Sequence, residues 1–307
     1  MNTEETIDIK NVLDTVISRK KTIFVFLLLS SIVSVATALT LPNFYKSEAL
    51  LEAVSSNGTG SSSGLGGDLG SLASMAGVDL GGPGGGKEAE LAIAITQSRD
   101  FFNSILREYD FVLPSLMAVE SYDNNSKALN YDEKKYDNSN SEWKEYSSFM
   151  SSFKKPSNDE AYRHFVNKVF KVSKNNKTGY LRMTVEHKSP VFAKDLLEII
   201  IEEVNQKSRQ KALEDSSRSL VFLREEASLN RVNLINESIS NLIQNQLQTQ
   251  MMAKVHEDYL LKVIDSPYIP EKKSKPQRAI ICIVGLLAGF FLSLIYILIT
   301  SYAKREK

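Results

Sequence analysis

The residues most suggestive of chemistry are Gly81-Gly82-Pro83-Gly84-Gly85-Gly86-Lys87, which satisfy the G-x-x-x-x-G-K pattern of a phosphate loop. In such a loop backbone N–H groups cradle the phosphates, and a Ser or Thr after the lysine holds magnesium. Here the next residue is Glu88, and no Val/Ile-rich strand precedes the run. A glycine-rich connector is therefore the better reading. His164, His187 and His256 are scattered, with no paired spacing that would hold a metal. No Ser/His/Asp set can be singled out. Acidic residues are numerous, but they sit in mixed-charge segments where a solvated helix face accounts for them. No catalytic, cofactor-binding or metal-ligating residue is expected, and the protein is not expected to be an enzyme.

The elements that would position any site are easier to read. The chain has 307 residues and 37 basic residues against 37 acidic ones, so its net charge is zero. That balance argues against nucleic acid, which selects a basic surface. Thr22–Leu41 and Ile280–Ile299 carry no charge at all. Twenty residues at 1.5 Å each reach roughly 30 Å, the thickness of a bilayer's hydrocarbon core. The first run is too long for the apolar core of a signal peptide. The second offers water no polar face, so it does not read as a core helix.

Arg19, Lys20 and Lys21 abut the first span, and only Lys46 lies close on its far side. The positive-inside rule places the N-terminus in the cytoplasm. Lys304, Arg305 and Lys307 agree for the C-terminus. Lys272, Lys273, Lys275 and Arg278 disagree, but long domains translocate largely regardless of charge. The expected organisation is a cytoplasmic segment 1–21, a span 22–41, an outer domain 42–279, a span 280–299 and a cytoplasmic tail 300–307. The only cysteine, Cys282, lies in the second span, so the outer domain has no disulfide.

Within residues 8–20, Ile9, Val12, Leu13, Val16 and Ile17 recur at helical spacing behind Asp8. This segment reads either as an interfacial helix or as a solvated stub. After Pro42, alternation predicts a strand with Tyr45, Ala49, Leu51 and Ala53 on one face and Lys46, Glu48 and Glu52 on the other. Residues 57–86 hold 12 of the 15 glycines and are expected to form a mobile loop around a small docking segment, Leu69–Val78. Lys87–Tyr109 reads as one helix. Residues 115–160 read as a polar, partly helical surface excursion bearing Tyr122, Tyr131, Tyr136, Trp143 and Tyr146.

Phe165–Lys174 and Tyr180–Glu186 flank Asn175–Gly179 as a hairpin. Ser189-Pro190 has the chemistry of a helix start. From Val191 to Ser266 there is neither glycine nor proline. Some 60 helical residues would give a rod of roughly 90 Å, with a break marked by Asn230, Asn233 and Asn236. Tyr259–Asp265 reads as a last strand. The expected fold is α+β: two transmembrane helices flank a domain with a membrane-proximal α/β base and a protruding helical arm over residues 190–256.

Gly285 and Gly289 are spaced for close helix approach in lipid, and Ser30, Ser34 and Ala38 form a small-residue face on the first span. The two faces are expected to pack, within or between subunits, with Ser34 and Gly289 as a trial pair. Pro267, Pro270 and Pro276, followed by Arg278, impose an extended lead-in to the second span.

Taken in order, these residues resemble the polysaccharide co-polymerases, or Wzz-type chain-length determinants. The likeness runs from the basic-flanked first span through Pro42-Asn43-Phe44-Tyr45-Lys46-Ser47, the stretch Leu72-Ala73-Ser74-Met75-Ala76-Gly77 and Gln97-Ser98-Arg99-Asp100-Phe101. It continues through Thr178-Gly179 and Glu186-His187-Lys188-Ser189-Pro190. It is most specific at Val263-Ile264-Asp265-Ser266-Pro267, Pro270, Pro276 and Arg278. The resemblance implies an inner-membrane protein with both termini cytoplasmic, a periplasmic base and arm, and assembly into homo-oligomeric rings. It implies work with a Wzy-type polymerase and the growing polysaccharide, setting the modal length of O-antigen or a related polymer without catalysis or cofactor. Some relatives carry a tyrosine kinase after the second span; only residues 300–307 follow here, so the kinase-less form is expected. A structural part in capsule or exopolysaccharide export, or a periplasmic adaptor, is the alternative.

Overall fold

The computed structural model describes residues 19–54, 86–123, 126–147, 152–229 and 233–305. The chain begins with α1 (Lys20–Thr40), β1 (Tyr45–Ala53), α2 (Gly86–Thr96), α3 (Arg99–Glu108) and α4 (Val112–Met117). Six short strands follow: β2 (Val119–Asp123), β3 (Ala128–Tyr131), β4 (Tyr136–Asp137), β5 (Glu142–Trp143), β6 (Tyr146–Ser147) and β7 (Ser152–Phe153). Then come α5 (Asn158–His164), a π-turn (Phe165–Val169), β8 (Phe170–Lys174) and β9 (Leu181–His187). The chain closes with α6 (Pro190–Leu229), α7 (Asn233–Val255), β10 (Leu261–Asp265) and α8 (Arg278–Arg305). It divides into two units, one of residues 1–44 with 272–307 and one of residues 45–271. The segments 8–18, 57–85 (with Leu69–Val78 and Gly81–Gly85) and Asn230 lie outside the described residues.

The larger unit is built on a four-stranded antiparallel sheet in the order β10-β1-β9-β8. Period-two patterning explains its packed face: Tyr45, Ser47, Ala49 and Leu51 of β1 are buried, and so are Leu181, Met183, Val185 and His187 of β9. Against them pack Phe101, Phe102 and Ile105 of α3 and Leu196, Leu197, Ile200 and Val204 of α6. Phe165 stacks between Phe102 at 4.8 Å and Phe170 at 5.1 Å. The π-turn places Phe165 there, so the expected strand from Phe165 begins only at Phe170. Gly179 sits at φ +76° in the β8–β9 turn, where any L side chain would be strained.

Caps divide the helices. The Ser98 side chain accepts from Phe101 N at 3.2 Å, which splits the expected helix 87–109 into α2 and α3. Ser157 and Glu160 form a reciprocal capping box on α5. Ser189 Oγ accepts from Phe192 N at 3.2 Å, and Pro190 occupies the first turn of α6. Among the described residues between Val119 and Phe153 the excursion forms no helix but the ribbons β2–β3, β4–β5 and β6–β7. The polar alternation there lacks the apolar stripe a helix needs to bury.

The expected long rod is a hairpin. Its 40-residue and 23-residue helices are about 60 and 35 Å long, and they run antiparallel. Gln250 Nε2 donates to Ser217 Oγ at 2.8 Å across the pair. Leu220, Ile239 and Ala253 are buried. Asn236 lies inside α7 without breaking it. At the root, buried Asn205 acts as a surrogate strand. Its Oδ1 accepts from Leu260 N at 2.9 Å and Leu261 N at 2.7 Å, and its Nδ2 donates to Leu261 O at 2.8 Å.

His187 ends β9 and is buried against the Phe192 ring, 4.5 Å away. Its Nδ1 accepts from Ser189 N at 3.1 Å, which leaves Nε2–H to donate to Ser115 O at 2.9 Å. Burial pulls its pKa from 6.5 down to about 4, with the Lys188 charge adding to the effect. Between those values the unfolded chain binds one proton more than the folded one, so stability falls as pH drops through that window. The expected loss from His187 is on the order of 3 kcal/mol. Urea melts of the full chain in detergent, compared with His187→Gln between pH 7 and 4, check it: the substitution should flatten the slope.

Candidate functional site

The smaller unit is the pair α1–α8. Both helices are long and apolar enough to cross a membrane, with mean hydropathies of 2.3 and 2.7. Their burial is inverted relative to a water-soluble pair. Large residues such as Phe24, Leu28, Ile283 and Phe291 face outward, while Ser34, Ala38 and Ser293 are buried in the seam. A seam of small and hydroxyl residues beneath an apolar exterior is the pattern lipid selects, because lipid leaves close packing and hydrogen bonds as the main forces between helices.

The contacts in that seam are specific. A Cβ added to Gly285 would collide with Ser34, and one added to Gly289 with Ser30. Ser34 Oγ donates to Ile281 O at 2.8 Å, satisfying a hydroxyl that lipid could not. The trial pair Ser34–Gly289 is thus off by one turn: Gly285 is the residue facing Ser34, and both contacts lie within one chain. Arg19 Nη1 donates to Thr300 Oγ1 at 2.7 Å at one end of the pair.

At the other end, the chain around α1 and α8 is knitted by backbone. Phe44 N donates to Lys275 O at 2.9 Å, and Ser274 N to Phe44 O at 2.7 Å. Arg278 Nη2 donates to Asn43 Oδ1 at 3.3 Å. Leu41, forced extended before exposed Pro42, ends α1 (ψ 133°). Pro276 follows a cis Lys275–Pro276 bond, and Arg278 N donates to Pro276 O at 3.0 Å as α8 begins.

In the larger unit, Tyr45 pairs with His187 at the end of the β1–β9 ladder. Pro267 and Pro270 follow β10; Pro270 is buried. Between them Tyr268 O accepts from the buried Ser47 Oγ at 2.8 Å. Prolines supply no N–H to a ladder, so this strand end is held by a side chain instead.

Two polar clusters had no signal in the sequence. Asn205 is one. The other is Glu203, 1% exposed, which accepts from Tyr109 OH at 3.2 Å and pairs with Lys207 at 3.0 Å. Burial, then the Glu203 charge, pushes the Tyr109 phenol up to about 12. Each sits in a helix that reads as mixed-charge, and its partner is remote in sequence or in another element. Among the described residues no group of His, Cys, Asp and Glu could hold a metal.

An antiparallel α+β base, a helical hairpin and two helices long and apolar enough to cross a membrane define the class: a mixed α/β protein with two candidate membrane helices. Residues 5–109 match the family model described as Wzz, chain length determinant protein. The Wzz-type likeness read from the sequence is borne out by that match. A structure described as a full-length bacterial polysaccharide co-polymerase is 12% identical, covering 95% of this chain and 97% of that one, with a TM-score of 0.40. A fragment of WzzB, the polysaccharide co-polymerase from Salmonella Typhimurium, is 12% identical over 76% of this chain and 100% of that one, with a TM-score of 0.27. Both scores are below 0.5, so the family likeness stands on the sequence match. No curated protein matches the chain.

Gly285→Val should force α1 and α8 apart and destabilise the pair by about 1–3 kcal/mol, as overpacking does. Leu287→Val, at an outward position 54% exposed, should be close to neutral. Thermal melts in detergent micelles compare the two.

Proposed function

We propose that this protein sets the modal chain length of a surface polysaccharide, O-antigen or a related polymer. It acts without catalysis, as a homo-oligomeric scaffold of the inner membrane beside a Wzy-type polymerase. The observation that carries the reading is the Wzz match over residues 5–109. The lipid-suited seam of α1 and α8 supports the membrane assignment. The basic residues Arg19, Lys20 and Lys21 support cytoplasmic termini, with residues 42–279 in the periplasm. The proline residues Pro42, Pro267, Pro270 and Pro276 would then orient that domain at the bilayer.

Oligomerisation is supported by what the hairpin leaves uncovered. Leu220 is buried in the hairpin's own seam and is not available to a neighbour. Val221, Phe222, Leu229, Met251 and Val255 are exposed apolar residues on the same two helices. Their cost in water is removed when another copy covers them.

Phe222→Asp should therefore lower the native mass of the detergent-solubilised protein without unfolding it; an unchanged mass removes the oligomeric part of the proposal. A gel ladder of the cell's surface polysaccharide, with and without the gene, tests the function. Loss of the preferred length band with polymer still present is the expected result. Loss of all polymer would transfer the protein to export or capsule assembly, and an unchanged ladder would overturn chain-length control.

A further inference from the structure

The ribbons of residues 119–153 stand apart from the base's hydrophobic core. None of Tyr131, Tyr136, Trp143, Tyr146 or Phe153 belongs to that cluster. Two-stranded ribbons are marginal alone, and here rings link them. Tyr131 lies 5.3 Å from Tyr136, Tyr136 5.2 Å from Trp143, Trp143 6.2 Å from Phe153, and Phe153 6.1 Å from Tyr146. Only Tyr136 is buried; Tyr146 is 38% exposed. Tyr131, Trp143 and Phe153 are half-buried, so the array is only partly sealed from water.

Two rings of the array, Tyr131 and Tyr136, also line an open groove of about 910 Å³, together with Asn130, Asp137, Asn138, Ser139 and Lys144. Its polar groups are pinned in place. Asp137 Oδ1 accepts from Ser139 N at 3.0 Å, and Oδ2 lies 3.6 Å from Lys144 Nζ. Asp132 Oδ1 accepts from Lys134 N at 3.1 Å, and Oδ2 lies 3.2 Å from Lys135 Nζ. The Ser139 N–H holds the Asp137 carboxyl below its usual range, so it stays an acceptor. Four carboxylates (Glu120, Asp132, Glu133, Asp137) against two ammonium groups (Lys134, Lys144) line the groove, which disfavours a phosphate-bearing or acidic polymer.

A pyranose has an apolar C–H face and a polar rim of hydroxyls. Partly exposed rings near fixed carboxylate, amide and ammonium groups match that amphipathic shape. We propose that the groove and ring face of residues 130–146 bind the polysaccharide itself, along a neutral or amino-sugar stretch. The polymer's identity as ligand rests on the chain-length reading. Lys188 Nζ, just before α6, donates to Val119 O at 2.6 Å at the start of the ribbons. Saccharide bound on the ribbons is thus one hydrogen bond from Lys188, which precedes α6.

Trp143 is the only tryptophan in the chain and lies within the array, so its emission reports on the site. The full chain in detergent micelles is titrated with delipidated surface polysaccharide from the strain that encodes it. A saturable change in Trp143 emission is expected. Tyr146→Ala and Asn138→Ala should each weaken it about three- to tenfold, and Asn138→Ala, which removes no ring, should leave the melting temperature unchanged. No emission change, or a change that neither substitution weakens, overturns the site. If the gene deletion removes the length band while emission stays silent, chain-length control stands and this site falls. If the ladder is unchanged but a Tyr146-dependent response appears, the groove stands as a saccharide site and chain-length control falls.

Discussion

The larger unit depends on β1 being hydrogen-bonded on both edges. Tyr45–Leu51 pair with β9, and Leu50–Ala53 pair with β10, a strand more than 200 residues later. Closing so long a loop costs conformational entropy, and the cost must be offset by burial when the strands meet. Leu51, Leu181 and Leu261 supply it, each with no exposed surface. Everything between β1 and β10 is therefore inserted into a sheet whose two ends of chain are already tied together.

That tie explains the polar chemistry at the hairpin root. Beyond β1, the end of β10 near Leu260 and Leu261 has no further strand to satisfy its amides, and Asn205 of α6 does so with a side chain. Glu203, one turn from Lys207, tethers Tyr109, the residue that follows α3. A buried carboxylate is costly unless paired and hydrogen-bonded, and here it has both kinds of partner. The hairpin's orientation on the base is thus set by directional bonds as well as by the apolar contacts of Ile200 and Val204.

The apolar helix pair obeys the opposite solvent rule with the same economy of groups. In the base, leucine and phenylalanine fill the core, and hydroxyls that enter it, such as Ser47 and Thr96, are hydrogen-bonded there. In α1–α8, Ser34 and Gly285 are at the contact, and large residues such as Phe24, Ile283 and Phe291 are outside, while Ile297 is buried. Backbones approach because two positions carry no Cβ, and the Ser34 hydroxyl in the seam finds the Ile281 carbonyl.

The sequence by itself determined what depends on local composition and period. The two apolar runs, the alternation of β1 and β9, the Ser189-Pro190 start and the small-residue faces are all patterns within a few turns or pleats. Only the tertiary structure decided what depends on meeting. The seam register set Ser34 against Gly285, because helix crossing geometry is absent from either span alone. The rod became a hairpin because α7 could bury Ile239 and Ala253 against α6 only by turning back. The polar excursion became ribbons because its tyrosines and Trp143 pack with one another across strands, pairings that no helical or strand period in residues 115–160 announces.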